Sequence, residues 1–269
     1  MVTLHSPHGK DTHMTTTTST LTTIGLDELI ALGSLQTRVD RKYALTSGDA
    51  AMALALVDAG CTRVLEIDGV TDLGYTSVYL DTDALDTYLL AARDRRRRFK
   101  VRSRTYESNG ASFLEVKTRR GDRTVKDRLP GQHVQNGRLG DEGAAFVART
   151  LRLAGVRTDA VRTLSASLRV DYRRVTLFHE PTASRVTIDS GLTWWDMRTG
   201  AWLARPDLSI IETKTTGRAV GMDRLLWSMG HRPDRISKYA TALAAMHPHL
   251  PQNKWRPVLK QHFVDLSCA

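Results

Sequence analysis

Residues 99–129 read FKVRSRTYESNGASFLEVKTRRGDRTVKDRL, which looks like three consecutive strands. In the first run Lys100, Arg102, Arg104 and Tyr106 share one parity, and Phe99, Val101, Ser103 and Thr105 share the other. In the second, Phe113, Glu115, Lys117 and Arg119 oppose Leu114, Val116 and Thr118. In the third, Thr124, Lys126 and Arg128 oppose Val125 and Leu129. A period of two places one parity on each face of a sheet. An antiparallel meander with a core face and a wet face explains one such strand. Three in a row, all basic, call for a second architecture to be weighed.

The same pattern extends outward. Arg38, Asp40 and Lys42 share a face, as do Tyr75, Ser77, Tyr79 and Asp81. So do Arg169, Asp171 and Arg173, then Arg185, Thr187 and Asp189, then Glu212 and Lys214. The opposite parity is mostly apolar: Val101, Leu114, Val116, Val170, Val186, Ile188, Ile211. Either the charged faces look out to water, or the sheet closes and they line its interior while helices cover the apolar faces. Like charges packed inside a low-dielectric tunnel repel, so such a tunnel is a site for a polyanion and its counter-cations.

Between the strands lie helical patterns at 26–37, 46–60, 83–94, 140–154, 219–230 and 233–247. Thr46 is placed to cap the second of these, with Asp49 in its first turn. The whole reads as one α+β domain of about eight strands with helices outside them. Residues 1–24 are Thr-rich and predict a disordered tail, and 248–269 predict an irregular C-terminal one. The net charge of +10 and pI near 9.9 favour polyanionic partners. Cys61 and Cys268 form neither a metal spacing nor a disulfide framework, which points to a reducing, cytoplasmic setting. No apolar run approaches the ~20 residues of a membrane span. The bases follow strand parity instead of clustering with exposed aromatics, which disfavours specific nucleic-acid binding. The run RDRRRR at 93–98 reads as a solvated loop, or as a recruiter of polyphosphate or an acidic partner.

RVDRKY, YTSVYLDT, KVRSRTY, FLEVK, RVTIDSG, IIETK and RISKYATAL occur in the order seen in the VTC domain. The chain resembles that family, the catalytic module of polyphosphate polymerases, over residues 36–247. The family belongs to the triphosphate tunnel metalloenzymes, related to CYTH domains. The resemblance implies an eight-stranded antiparallel β tunnel, a closed barrel with a basic interior, surrounded by helices and spanning residues 25–247.

The resemblance also implies site residues. Lys42, Arg102, Arg104, Lys117, Lys126, Arg173, Arg185 and Lys238 match the tunnel cations that bind and activate the phosphates. Lys238 is placed on a C-terminal helix. Lys100 and Lys214 join them as substrate ligands by strand parity. Glu212 matches the metal-binding glutamate, with Glu115 as a second candidate ligand and Asp189 behind it, for Mn²⁺ or Mg²⁺. Where the CYTH signature has Glu-x-Glu-x-Lys, this chain has Arg38-x-Asp40-x-Lys42, which favours the VTC-type site. The expected activity is metal-dependent phosphoryl transfer on ATP, polyphosphate or another triphosphate, foremost ATP-dependent polyphosphate synthesis. A triphosphatase or a non-catalytic polyphosphate- or nucleotide-binding module are the alternatives. Family relatives often work beside a membrane protein, so a separate membrane-protein partner is also expected.

Overall fold

The 99–129 stretch folds into three antiparallel strands, Arg97–Tyr106, Ser112–Arg120 and Arg123–Pro130, in the register that its alternation requires. The computed structural model describes residues 18–32, 39–121 and 123–263. Its strands in chain order are β1 (Thr22–Ile24), β2 (Val39–Thr46), β3 (Thr62–Leu65), β4 (Asp72–Asp81), β5 (Arg97–Tyr106), β6 (Ser112–Arg120), β7 (Arg123–Pro130), β8 (Val134–Gln135), β9 (Arg138–Leu139), β10 (Ser165–His179), β11 (Ser184–Asp196), β12 (Trp202–Arg205) and β13 (Leu208–Thr215). The helices are α1 (Leu26–Leu32), α2 (Ser47–Ala55), α3 (Asp86–Ala92), α4 (Asp141–Leu153), α5 (Gly221–Ser228), α6 (Ala240–Met246) and α7 (Arg256–His262). None of these helices is long and apolar enough to cross a membrane.

Eight antiparallel strands form one curled sheet in the order β2-β13-β11-β10-β4-β5-β6-β7. The expected barrel does not close among the described residues, because β2 and β7 are the two ends of this path. The reason lies at the free edge of β2. Residues 42 and 44 point their backbone groups away from β13, and Asp234 takes both. Its N–H donates to the Lys42 carbonyl at 2.6 Å, and its carboxylate accepts from the Ala44 N–H at 3.0 Å. The edge is satisfied by a strap before α6, with no eighth ladder.

Helices cover the convex face where it is apolar. Ala50, Ala53 and Leu54 of α2, with Met222 and Leu226 of α5, pack on Tyr43, Leu45, Val175, Val186, Ile188 and Ile211. Thr46 caps α2, its hydroxyl accepting from the Asp49 N–H at 3.0 Å. Val147 and Leu151 of α4 pack on Leu80, Val101, Leu114 and Val116.

The concave face is divided along its strands. On β13 Leu208 and Ile210 are followed by Glu212 and Lys214; on β10 Leu168, Val170 and Tyr172 are followed by Arg174. The apolar part packs on Tyr88 and Ala91 of α3, Ala240 and Leu243 of α6, and Val258 and Leu259 of α7. Only the remainder is an open, charged concavity. Part of the expected basic interior is therefore hydrophobic core.

Three segments differ from their sequence readings. Residues 22–24, assigned to a disordered tail, add β1 in parallel to β3, with Leu21 and Ile24 buried. Residues 1–17 lie outside the described residues, as do 33–38 of the first helical pattern. The C-terminal stretch is not irregular throughout, since Trp255, Val258, Leu259 and His262 recur at helical spacing and are buried. The helix expected from residue 233 starts at Ala240, because 233–238 serves the edge of β2 and the concavity instead.

Trp255 is 3% exposed and its ring lies 5.5 Å from that of Tyr88. Trp255→Ala should therefore cost about 3–5 kcal/mol, as buried aromatic truncations do. The readout is a lower urea midpoint at unchanged m-value. A variant with the native midpoint would show that the C-terminal segment is not part of the core.

Candidate functional site

The charged part of the concave face encloses a cavity of about 630 Å³. Strand pleat decides what enters it, since every second residue of each strand faces in. From β5 come Arg98, Lys100, Arg102 and Arg104; from β6, Glu115, Lys117 and Arg119; from β7, Lys126. β2 and β13 add Asp40, Lys42, Glu212 and Lys214, β10 adds Arg174, and the strap adds Asp234, Ser237 and Lys238.

Three carboxylates are each clamped by two cations. Glu115 meets the Arg102 guanidinium at 2.6 Å and the Lys126 ammonium on its other oxygen. Glu212 gives one oxygen to Lys42 at 2.9 Å and the other to Lys214 at 3.1 Å. Asp189 accepts a two-pronged bond from Arg174, at 2.5 and 2.8 Å, and another from Lys238. Burial alone would raise all three acids. The charges of Arg102, Arg104 and Lys126 overcome it for Glu115, Arg174 and Lys238 for Asp189, and Lys214 and Lys42 for Glu212, so all stay well below the usual carboxylate range.

The cations outnumber these acids, and the surplus is visible in their protonation. Burial, then Lys117 and Lys42, pull Lys100 down to about 7; its ammonium donates to Ser237 Oγ at 2.8 Å. Burial and the nearby arginines pull Lys126 to about 8 against the pull of Glu115. Lys214 is likewise lowered to about 8 by burial and by Arg174, against Glu212. Arg104 is 7% exposed, stacks over Tyr75 at 5.4 Å, and its buried Nε has no hydrogen-bond partner.

The structure thus brings Lys42, Lys100, Arg102, Arg104, Lys117, Lys126, Lys214 and Lys238 into one cavity. Lys238 sits in a turn before α6 and not on the helix itself. Arg173 and Arg185 are not brought there. Arg173 points outward to Asp72, with its side chain 44% exposed. Its neighbour Arg174 shares the inward parity of Leu168, Val170 and Tyr172, and that apolar-aromatic run was the available signal. The misleading one was the charged series Arg169, Asp171, Arg173, which lies on an uncovered part of the convex face. Arg185 has inward parity, but its guanidinium donates to the Leu29 carbonyl of α1 at 3.1 Å.

Sequence reasoning also missed a bulge. Tyr172 opposes both Gly191 and Leu192, with Gly191 at a φ of +59°. The extra residue flips the parity of β11, so that Asp189 and Trp194 both face inward. Of the face shared by Tyr75, Ser77, Tyr79 and Asp81, Tyr79 lines the cavity and accepts from the Arg102 guanidinium at 3.1 Å, and Tyr75 lies under Arg104. Asp81 is buried and accepts from the Thr87 and Tyr88 N–H groups at 2.8 and 3.0 Å, starting α3.

A divalent cation was expected on Glu212 and Glu115. Among the described residues no three His, Cys, Asp or Glu lie close enough to hold an ion by themselves. Both oxygens of Glu212, like both of Glu115, already face cations. This donor set fits an ion carried mainly by substrate phosphates and leaning on one carboxylate, and does not fit an ion caged by protein.

The profile of the VTC domain matches residues 37–247. No curated protein matches the chain. Among solved structures, a candidate adenylate cyclase from Vibrio parahaemolyticus is similar at 12% identity, over 78% of this chain and 98% of that one, with a TM-score of 0.44. A candidate adenylyl cyclase from Hippeastrum, described with a dominant triphosphatase activity, is similar at 15% identity over 81% and 100%, with a TM-score of 0.43. The PH1819 protein of Pyrococcus horikoshii OT3 is similar at 13% identity over 76% and 98%, with a TM-score of 0.42.

Two predictions follow from this geometry. Lys100, Lys126 and Lys214 titrate below the unfolded lysine value of ~10.4. Between about 7 and that value they hold fewer protons folded than unfolded, so stability rises with pH across the window. Tyr43 and Tyr75, raised chiefly by burial, reverse the trend above ~10. Urea midpoints from pH 7 to 10 should climb, and Lys100→Met should flatten the lower part of the climb. Separately, Arg174→Gln should weaken tripolyphosphate binding more than about tenfold, as loss of a charge-assisted bond does, and Arg173→Gln by less than about twofold. Equal losses in titration calorimetry would overturn the assignment of Arg174 to the inward face.

Proposed function

This chain belongs to the VTC domain family, and from that premise we propose that it transfers phosphoryl groups in the cavity as an ATP-dependent polyphosphate polymerase. The observation that carries this reading is the surplus of cations over carboxylates in one cavity, with Arg104 Nε unpartnered and Lys100 lowered to about 7 by burial and by the lysines beside it. A triphosphate would supply the missing negative charge. The arginines would fork its oxygens, and the lysines would act as point charges. Binding would also restore the full charge of Lys100, so the ligand would be taken up together with protons.

Phosphoryl transfer asks a protein for position and charge more than for covalent steps. Arg102 and Arg104 on β5 and Arg174 on β10 would orient the phosphate chain, with Lys42, Lys117 and Lys126 on the facing strands. A divalent ion carried by the substrate would bridge phosphate oxygens and neutralise charge, and Glu212 would hold it, with Glu115 behind.

The acids favour a polymerase over a carboxylate-based hydrolase; a hydrolase in this cavity would have to use Lys100, lowered to about 7, as its base. Each carboxylate in the lining is already engaged: Glu115 and Glu212 as above, Asp94 with Lys254 at 2.6 Å, Asp234 with the Ala44 N–H, and Asp40 in a contact of its own. A water nucleophile needs a group to orient it and accept its proton. The terminal phosphate of a growing chain is already anionic and needs none.

Incubation with ATP and Mn²⁺ or Mg²⁺ should give long polyphosphate chains on a gel, with ADP released. Arg104→Gln and Glu212→Gln should each lower the rate about 10²–10³-fold, the usual loss for one preorganised charge. Free phosphate without chains would make the protein a triphosphatase. Neither product, with polyphosphate still bound, would leave a binding module.

A further inference from the structure

The arginine run at 93–98 is not consumed by the cavity. Arg97 opens β5 and lies directly opposite Arg120 of β6, which in turn lies opposite Arg123 of β7. Arg98 likewise opposes Arg119. The Gly121 N–H donates to the Arg96 carbonyl at 3.0 Å, closing the hairpin tip against the run. Arg95, Arg96, Arg97 and Arg120 are exposed. Among the described residues none of their side chains takes part in an ion pair or hydrogen bond.

Like charges directly opposite each other in a sheet cost stability, and here the chain sets them opposite repeatedly at one strand end. This rim adjoins the cavity at the same strand end, because Arg98 and Arg119, the chain neighbours of Arg97 and Arg120 with inward parity, line the cavity. Inward cations then recur on β5 at 98, 100, 102 and 104, about 6.6 Å apart along the strand. From Arg104 to Arg98 the row runs roughly 20 Å, longer than three linked phosphates span. No exposed aromatic stands among the rim arginines, unlike a single-stranded nucleic-acid platform.

We propose that Arg95, Arg96, Arg97 and Arg120 form a second polyanion site, a collar that grips the part of a linear inorganic polyphosphate lying outside the cavity. It rests on the reading above only in taking the cavity's ligand to be phosphate. Arg97 and Arg120 are absent from the cavity lining, so they can be changed without touching it.

The test compares sodium tripolyphosphate with long-chain inorganic polyphosphate, in titrations of the wild-type chain and of Arg97→Gln/Arg120→Gln. Wild type should bind the long chain more tightly and with steeper salt dependence. The double variant should lose roughly tenfold in long-chain affinity and stay within about twofold for tripolyphosphate. Its melting temperature should rise, because an opposed pair of like charges has gone. Unchanged long-chain affinity in the variant would overturn the collar. So would equal loss of a single-stranded oligonucleotide that the wild type binds as tightly as polyphosphate. Failure of tripolyphosphate to bind the wild type would instead count against the phosphoryl-transfer reading, while a long-chain loss in the variant would still support the collar.

Discussion

Charge neutralisation inside the curl is the constraint on which the rest of this structure depends. A cavity lined by lysines and arginines cannot be assembled from cations alone, since each would have to shed water without compensation. Glu115, Glu212 and Asp189 supply the compensation, and each does so for two partners from different elements. Glu115 ties β5 to β7 across β6. Glu212 ties β2 to its own strand, β13. Asp189 ties β10 to the strap that follows α5. The ion pairs thus double as cross-braces, and removing any one acid would leave two cations unsupported.

The remaining charge excess is what makes the cavity an anion site. Lys100 shows this most directly, because burial lowers it first and the charges of Lys117 and Lys42 lower it further. Behind the sheet, by contrast, one buried acid is fully matched. Asp223, 0% exposed, accepts from Tyr43 and Thr213 hydroxyls, the Val220 N–H and Arg41. The contrast between a saturated network behind the sheet and an unsaturated one in front of it separates scaffold from site.

Much of this was legible in the sequence, because alternation along a strand is a direct readout of its two faces. The meander at 99–129 placed Lys100, Arg102, Arg104, Lys117 and Lys126 on one face without help from any other region. Parity failed where a second influence acted on the same face. On β10 the charged series ending at Arg173 is convex and uncovered, while its continuation, Val175 and Leu177, is convex and packed under helices. Polarity along that face reports helix cover as much as it reports inside and outside. On β11 the bulge at Gly191 changes the count, and no composition rule announces it. The strap at 233–238 has helical neighbours and was read with them, although its work is to finish an edge.

The open seam between β2 and β7 sets the mechanical character of the cavity. In a ring of strands, widening the bore means stretching or breaking a ladder somewhere around the circumference. Among the described residues the circumference is interrupted between β2 and β7, where no ladder exists, and the edge of β2 is bonded to Asp234 instead. The hairpin of β6 and β7, carrying Lys117 and Lys126, stands across this unladdered seam from the strands β2, β13 and β10. A change in the width of the bore at this seam would break no ladder hydrogen bond among the described residues, which a closed ring of strands does not allow.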